Sequence, residues 1–490
     1  MRVMISLTIL FAVMATAAAA DSPALTIYNQ NFAVVRQLLT LELQAGANDV
    51  QFSGTTAQVE PSSVILRSLI DGWRLSVLEQ SYRNDPISQP LLLALFEGQT
   101  IDFLVSSYPE AKTVRGRIVR SGYVPVAQTQ RYRAAGSGQP IIEVNGQLRF
   151  GLPGLPLFPD LADDTILKPT LNWRLQSDQQ GTVKAELGYI TGGLSWQADY
   201  NVVAATDSDD LELLGWVTVH NNSGRSFPDA RLKLMAGDVR KLAPPQNGRA
   251  QRAAFDAIME SRIETGVTER TFDEYHLYTL ERPTTLRDQE TKQVEFLRSP
   301  KVESERLYIY DGVFIDPQRY GHYAPINRRQ DTEYGIEYNS KVWVVREFDN
   351  SEQNGLGVPL PKGRIRFYRR DVDGQLEFTG ENLIDHTPRD ERIRVHTGNA
   401  FDLVGQRLRT SYQVDSRGQW VDERFQIELR NRKEEDIEIR VVEHLYRWSN
   451  WEIRSTSVPY RQIDSRTIEF VVPVAAGETA TVDYSVHYSW

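Results

Sequence analysis

No cysteine occurs among the 490 residues. Disulfides are therefore excluded, packing alone must hold the fold, and no lipid-carrying cysteine can anchor the chain. Past the N-terminus no stretch approaches the roughly 20 apolar residues of a membrane helix. Local catalytic signatures are missing as well: no Walker loop, no zinc-protease helix, no Gly-x-Ser-x-Gly elbow and no Rossmann fingerprint. Nothing in the sequence asks for a cofactor, and no histidine or carboxylate spacing matches a standard metal site. These absences weaken the common soluble enzyme classes. They leave a glycosidase open, because its two carboxylates need no shared motif. Basic charge is in deficit too. The net charge of −10 opposes nucleic acid and anionic membrane surfaces as partners.

What is present begins with a leader. Arg2 forms a short positive region, Val3 to Met14 an apolar one, and Ala15 to Ala20 a run of small residues before Asp21. That order is an export signal at 1–20 with cleavage before Asp21. An exported chain without disulfides is expected in a bacterial periplasm or secreted, with no transmembrane helix once the leader is removed.

Behind the leader the chain alternates. In Thr481 to Trp490 the even positions are Val482, Tyr484, Val486, Tyr488 and Trp490, and the odd positions are polar or small. A period of two gives one apolar and one wet sheet face. Leu39–Leu43, Trp73–Glu79, Thr113–Val119, Trp196–Ala204, Leu211–His220 and Phe425–Arg430 carry related patterns. Gly46-Ala47-Asn48-Asp49 and Asn221-Asn222-Ser223-Gly224 are expected turns. Leu91 to Leu95 is a short apolar run that periodicity assigns to neither strand nor helix. The expected fold is all-β: two or three antiparallel β-sandwich (immunoglobulin-like) domains with one charged, partly helical insertion. Boundaries are set at 21–132 for an N-terminal β-domain, 133–165 for a Gly/Pro-rich linker and 166–400 for a central β-domain. The insertion spans 241–269, and a C-terminal immunoglobulin-like sandwich fills 401–490.

Several phrases carry a family resemblance. They are Leu194-Ser195-Trp196-Gln197-Ala198-Asp199-Tyr200, Gly215 to Gly224, Ala236-Gly237-Asp238-Val239, Pro361 to Tyr368, Ile384 to Pro388, Gly398 to Asp402, and the terminal Trp490. Together they resemble a bacterial family catalogued as domain of unknown function 4139, over roughly residues 20 to 490. That family is similar to the C-terminal part of mucoidy-inhibitor-like proteins. Those proteins carry a coiled-coil insertion near the N-terminus, and this chain lacks heptads there. The resemblance implies an envelope protein of β architecture and supplies no catalytic residues.

Two groups of side chains are candidates for function. The densest polar stretch, Glu381 to Asp402, contains Asp385, His386, Asp390 and Glu391, which suit acid–base work on a glycan or, alternatively, an ordinary turn. Trp448, Trp451, Tyr320 and Tyr323 lie in aromatic-rich stretches whose rings either stack on sugars or fill sandwich cores. The leading expectation is an exported, non-catalytic cell-envelope protein that binds a protein partner or surface polysaccharide. The alternatives are a periplasmic glycan hydrolase using the 381–402 carboxylates, and an outer-membrane β-barrel ending in Trp490.

Overall fold

The computed structural model describes residues 22–85, 88–106, 112–123, 138–159, 166–205, 208–237, 239–241, 275–320, 329–415, 417 and 419–490, with the backbone of 15–16, 18–19 and 267–272. Most of the expected leader, nearly all of the expected 241–269 insertion, and Tyr323 lie outside the described residues. What is described is sandwich-like and nearly all β, with 63% strand against 5% helix.

The chain forms two compact units. One comprises Met1–Trp196, Val219–Met235 and Tyr278–Lys292; the other comprises Gln197–Thr218, Ala236–Leu277 and Gln293–Trp490.

In the first unit Phe32–Leu43 is the organising strand. It pairs antiparallel with Gly181–Gly192 over twelve residues and with Ala24–Tyr28, which in turn runs parallel to Arg231–Met235. Leu39, Leu41 and Leu43 are at most 1% exposed, because their period of two puts them on one face. The expected turn at Gly46–Asp49 is instead the start of strand Gly46–Phe52. The reversal sits earlier: Asn48 Oδ1 accepts from the Gln44 N–H at 2.8 Å and Asn48 Nδ2 donates to the Gln44 carbonyl at 2.8 Å. The asparagine thus bridges the corner from inside the next strand.

A smaller sheet occupies the same unit, in the order Gln147–Phe150, Ile141–Val144, Lys112–Arg120, Thr100–Ser106, Leu155–Leu157. Helix Gln89–Leu95 settles the ambiguous Leu91–Leu95 run. Ser88 caps it by accepting from the Leu91 N–H at 3.3 Å, and Pro90 sits in its first turn. Leu93 and Phe96 then pack with Ile101, Phe103, Ile118 and Ile142. The Gly/Pro-rich stretch contributes Leu155–Leu157, extended beside Phe103 as its prolines require.

The second unit holds the greater part of a five-stranded sheet, in the order Glu290–Val302, Leu211–Asn221, Leu194–Ala204, Gly363–Arg370, Leu376–Ile384. A nine-stranded sheet follows the order Trp451–Thr456, Thr479–Ser489, Trp420–Asn431, Arg392–Val414, Lys341–Asp349, Glu305–Asp311, Ile437–His444, Thr467–Val474, Tyr460–Asp464. Its two outermost strands are neighbours in sequence, joined only by Ser457-Val458-Pro459. Laid flat, nine strands would separate their edges by about 38 Å. A link of three residues reaches only about 14 Å. The sheet must therefore fold over on itself, and it does. Phe425 and Tyr484 stack at 5.4 Å while Phe470, from the other end of the order, meets Tyr484 at 5.7 Å. Val482, Tyr484, Val486 and Tyr488 are 2% exposed or less in this core.

That arrangement overturns the outer-membrane barrel alternative. The sheets are open, and the apolar side of the closing strand faces packed protein where a barrel would face lipid. Trp490 is half-buried, with its N–H donating to the Gln419 carbonyl at 3.1 Å.

Candidate functional site

The four residues nominated for catalysis fall on a surface turn. Asp385, Asp390 and Glu391 are exposed. Thr387 Oγ1 donates to the Asp385 carbonyl at 2.9 Å, and Leu360 and Thr387 exchange backbone hydrogen bonds at 2.8 and 2.9 Å. His386 Nδ1 accepts from the Lys362 N–H at 3.2 Å. Asp390 has φ 63° and pairs with its neighbour Arg389 at 3.2 Å. The loop is pinned by Asn350, which is fully buried and donates to the Val358 and Pro388 carbonyls at 2.8 and 2.7 Å. Among the described residues no three histidine or carboxylate side chains converge as a metal site.

The nominated aromatics divide. Tyr320 is 3% exposed and packs edge-on against Tyr334 at 5.0 Å, so it fills core and offers no platform. Trp448 is half-buried under the Arg329 guanidinium, which lies 3.6 Å from its ring centre and 5.3 Å from that of Trp490. Trp451 is half-buried and donates its indole N–H to the Ser465 carbonyl at 2.8 Å.

A more ordered set of polar groups crosses the five-stranded sheet. Gln293 Nε2 donates to Thr218 Oγ1 at 3.1 Å, and Thr218 Oγ1 donates to Asp199 Oδ2 at 2.6 Å. Gln197 Nε2 donates to the same carboxylate at 3.2 Å. Arg366 Nη1 lies 3.5 Å from Asp199, and Arg366 Nε lies 3.4 Å from Glu381. Arg364 approaches Glu381 at 3.6 Å. One residue from each strand thus joins a continuous row, Gln293–Thr218–Asp199–Arg366–Glu381.

The reason is strand parity. Asp199, Asn201 and Val203 sit opposite Arg364, Arg366 and Tyr368, while Tyr368 sits opposite Phe378 and Arg364 opposite Leu383. The alternate residues Tyr200, Val202, Ile365 and Phe367 are buried on the other face. Asp199 itself is only 4% exposed, which its three partners permit. Beside the row stand half-buried Trp216 and Tyr368 and exposed Phe378 and Leu383. Phe378 meets Tyr368 edge-on at 5.8 Å. Among the described residues the face is mixed: exposed Gln197, Gln293, Glu381 and Phe378 surround the buried Asp199 and Thr218, so hydrogen-bonding groups and flat rings are presented together. Apart from Glu381, inside the polar 381–402 stretch, none of the row's members was singled out as a candidate. The signal was there in polar residues at the outward positions of Leu194–Tyr200 and Pro361–Tyr368, but it becomes a site only once strands 167 residues apart are paired in parallel (Asp199 and Arg366).

A second charged group lies inside the nine-stranded sheet and does different work. Arg447 holds Glu423 through Nε and Nη2 at 2.7 and 2.9 Å, and Arg409 Nη1 reaches the same carboxylate at 2.9 Å. Their remaining donors grip one backbone segment. Arg447 donates to the carbonyls of Arg329, Asp331 and Tyr334 at 3.3, 2.9 and 3.1 Å. Arg409 donates to Thr332, Tyr412 to Gln330 at 2.7 Å and Arg407 to Gly335 at 2.9 Å. Gly335 has φ 73°, and a Cβ there would strike the Tyr446 ring. These buried charges are engaged in holding residues 329–335.

A cavity of about 210 Å³ opens beside Asp209, Glu305, Tyr308, Glu435 and Arg440. It is below the roughly 300 Å³ of ordinary ligand pockets. Its charges are already matched, Arg346 to Asp209 at 2.6 Å and Lys433 to Glu435 at 3.0 Å.

Residues 185–490 match the family described as Domain of unknown function (DUF4139), and the chain belongs to that family. All the phrases quoted above, from Leu194 to Trp490, lie inside the matched stretch. No curated protein matches the chain.

Proposed function

For this member of a family without an assigned role, we propose an exported, non-catalytic cell-envelope protein that binds a surface polysaccharide across the mixed face of the five-stranded sheet. One observation carries the reading. The row Gln293–Thr218–Asp199–Arg366–Glu381 runs beside Tyr368, Phe378 and Trp216 on a sheet face where, among the described residues, Gln293, Glu381 and Phe378 are exposed. Sugar rings present flat C–H faces, which stack on aromatics, and a rim of hydroxyls, which pair with amides, carboxylates and guanidinium groups. An extended face suits a chain of rings, and ordinary glycoside hydrolysis would need a pair of convergent carboxylates. The leader at 1–20 supports placement in the periplasm or outside the cell.

The test is titration of the chain with polysaccharide isolated from the cell envelope, read by calorimetry, with product analysis after long incubation. Binding that falls about tenfold on Phe378→Ala with Tyr368→Ala, and no shortened product, is the expected result. Release of shorter glycans, or binding indifferent to both substitutions, overturns it.

A further inference from the structure

Among the described residues the small sheet of the first unit is covered on one side only. Ile101, Phe103, Ile118 and Ile142 meet helix Gln89–Leu95 on the inner face. On the outer face the register aligns Leu148, Glu143, Arg117 and Thr100 in one row, and Leu157, Asp102 and Arg115 in another. Phe150 and Leu155 stand at the two edges of that face, and the bulge at Val119 and Arg120 adds two more exposed side chains. A solvent-facing strand would carry polar residues at these positions. Instead Phe150 is 73% exposed, Leu148 and Leu155 are 66%, and Leu157 is 45%.

We propose that this outer face docks on an anionic phospholipid surface. Charge is the first argument. By register the outer face carries three cations, Arg115, Arg117 and Arg120, against two carboxylates, Asp102 and Glu143, for a local net charge of +1 within a chain of −10. Screening at physiological salt confines electrostatics to about 8 Å, so the local sign governs contact and the chain average does not.

The second argument is the order of residues across the face. Protein interfaces place apolar side chains at the centre and charge at the rim. Here the ion pairs Arg117–Glu143 at 2.6 Å and Arg115–Asp102 at 3.4 Å are central, and the leucines and phenylalanine form the two edges. A bilayer surface fits that inverted order. The edge side chains, about 19 Å apart across five strands, enter the acyl boundary, while the guanidinium groups remain level with the phosphates and lay their stems along the apolar surface.

The test is flotation of the whole chain with vesicles of phosphatidylglycerol and phosphatidylethanolamine, compared with phosphatidylcholine alone. Wild type and variants carry the same N-terminus, so their difference reads the face. The expected result is wild-type flotation on the anionic vesicles only. It should weaken about tenfold in the variant Leu148→Ser/Phe150→Ser and again in Arg115→Gln/Arg120→Gln, with unchanged melting curves. These positions are solvent-exposed, so the variants keep their core. Three results overturn the proposal: no wild-type flotation, equal flotation on phosphatidylcholine, or variants that float as well as wild type. A wild-type dimer made monomeric by Leu148→Ser/Phe150→Ser, without vesicle binding, also overturns it and assigns the face to a second copy of the chain.

Discussion

Arg407 Nε donates to both oxygens of Glu443, at 2.9 and 3.0 Å, with 1% and 0% of the two side chains exposed. The guanidinium lies over Phe425, 3.8 Å from its ring centre, Tyr484 donates its hydroxyl to Glu443, and Arg407 Nη1 reaches the Gly335 carbonyl. Burial, with the Glu443 charge beside it, pushes the Tyr484 hydroxyl well above its ordinary range, so it stays a proton donor. A pair this deep is stable only as a set.

Removing one partner therefore costs more than removing both. Glu443→Gln keeps the shape and strands the Arg407 charge. The expected loss is about 3–5 kcal/mol in denaturant unfolding of the second unit. The double variant Arg407→Met/Glu443→Leu should lose clearly less than the sum of the two single changes. Additive losses would show that the pair is not coupled.

Asn431 is a second buried keystone. It is fully buried, and its Nδ2 donates to the carbonyls of Glu435, Val474 and Ala475 at 2.8, 3.2 and 3.1 Å, while Oδ1 accepts from the Lys433 N–H at 2.9 Å. Asn221 repeats the plan, donating to Arg225, four residues on, and accepting from the Ser223 N–H two residues on. Asn431→Leu leaves several carbonyls without a donor, and a destabilisation of about 2–4 kcal/mol is expected. Asn431→Asp should cost as much, since it removes the donor and adds a buried charge. Thermal melts of both variants check this.

These asparagines show what the sequence could and could not disclose. The alternation of Val482, Tyr484, Val486 and Tyr488 follows from pleat geometry and is readable from one strand alone, which is why the all-β class was legible. The Asn221–Gly224 turn was legible for the same local reason. The internal echo between Asn221 and Asn431 was not, because it lies in what a side chain reaches and two hydrogen bonds have no periodicity. The polar row was hidden by distance, since Asp199 and Arg366 meet only through a parallel pairing across the sheet. Tyr320 was misleading because composition reports an aromatic, and only packing reports that Tyr334 covers it.

Within the polar row the members should differ sharply. Asp199 is buried and serves Thr218, Gln197 and Arg366 at once. Asp199→Leu removes all three contacts and should destabilise by about 1–3 kcal/mol. Glu381, half exposed in its pairs with Arg366 and Arg364, should lose less than about 1 kcal/mol on Glu381→Gln. Equal losses at the two positions would mean that the row is not anchored at Asp199.

Protonation of His444 gives a pH signature to the nine-stranded sheet. Its Nε2 lies 3.1 Å from Asp311 Oδ2, linking Ile437–His444 to Glu305–Asp311, which pair in parallel. The hydrogen bond to Asp311 raises its pKa above the ordinary 6.5, against a lowering by partial burial, with the Asp311, Glu443 and Asp464 charges adding to the rise. A raised folded-state value means that the folded form binds the proton more tightly than the unfolded chain. The stabilisation is complete below about pH 6.5 and is lost as pH climbs through the raised value. Melting temperature should therefore fall between pH 6 and pH 8 more steeply in the wild type than in Asp311→Asn. That variant keeps a hydrogen-bonding partner and removes the charge. With 44% of the imidazole side chain exposed, the difference should shrink in high salt. Identical pH slopes for the two proteins would remove His444 as the titrating group.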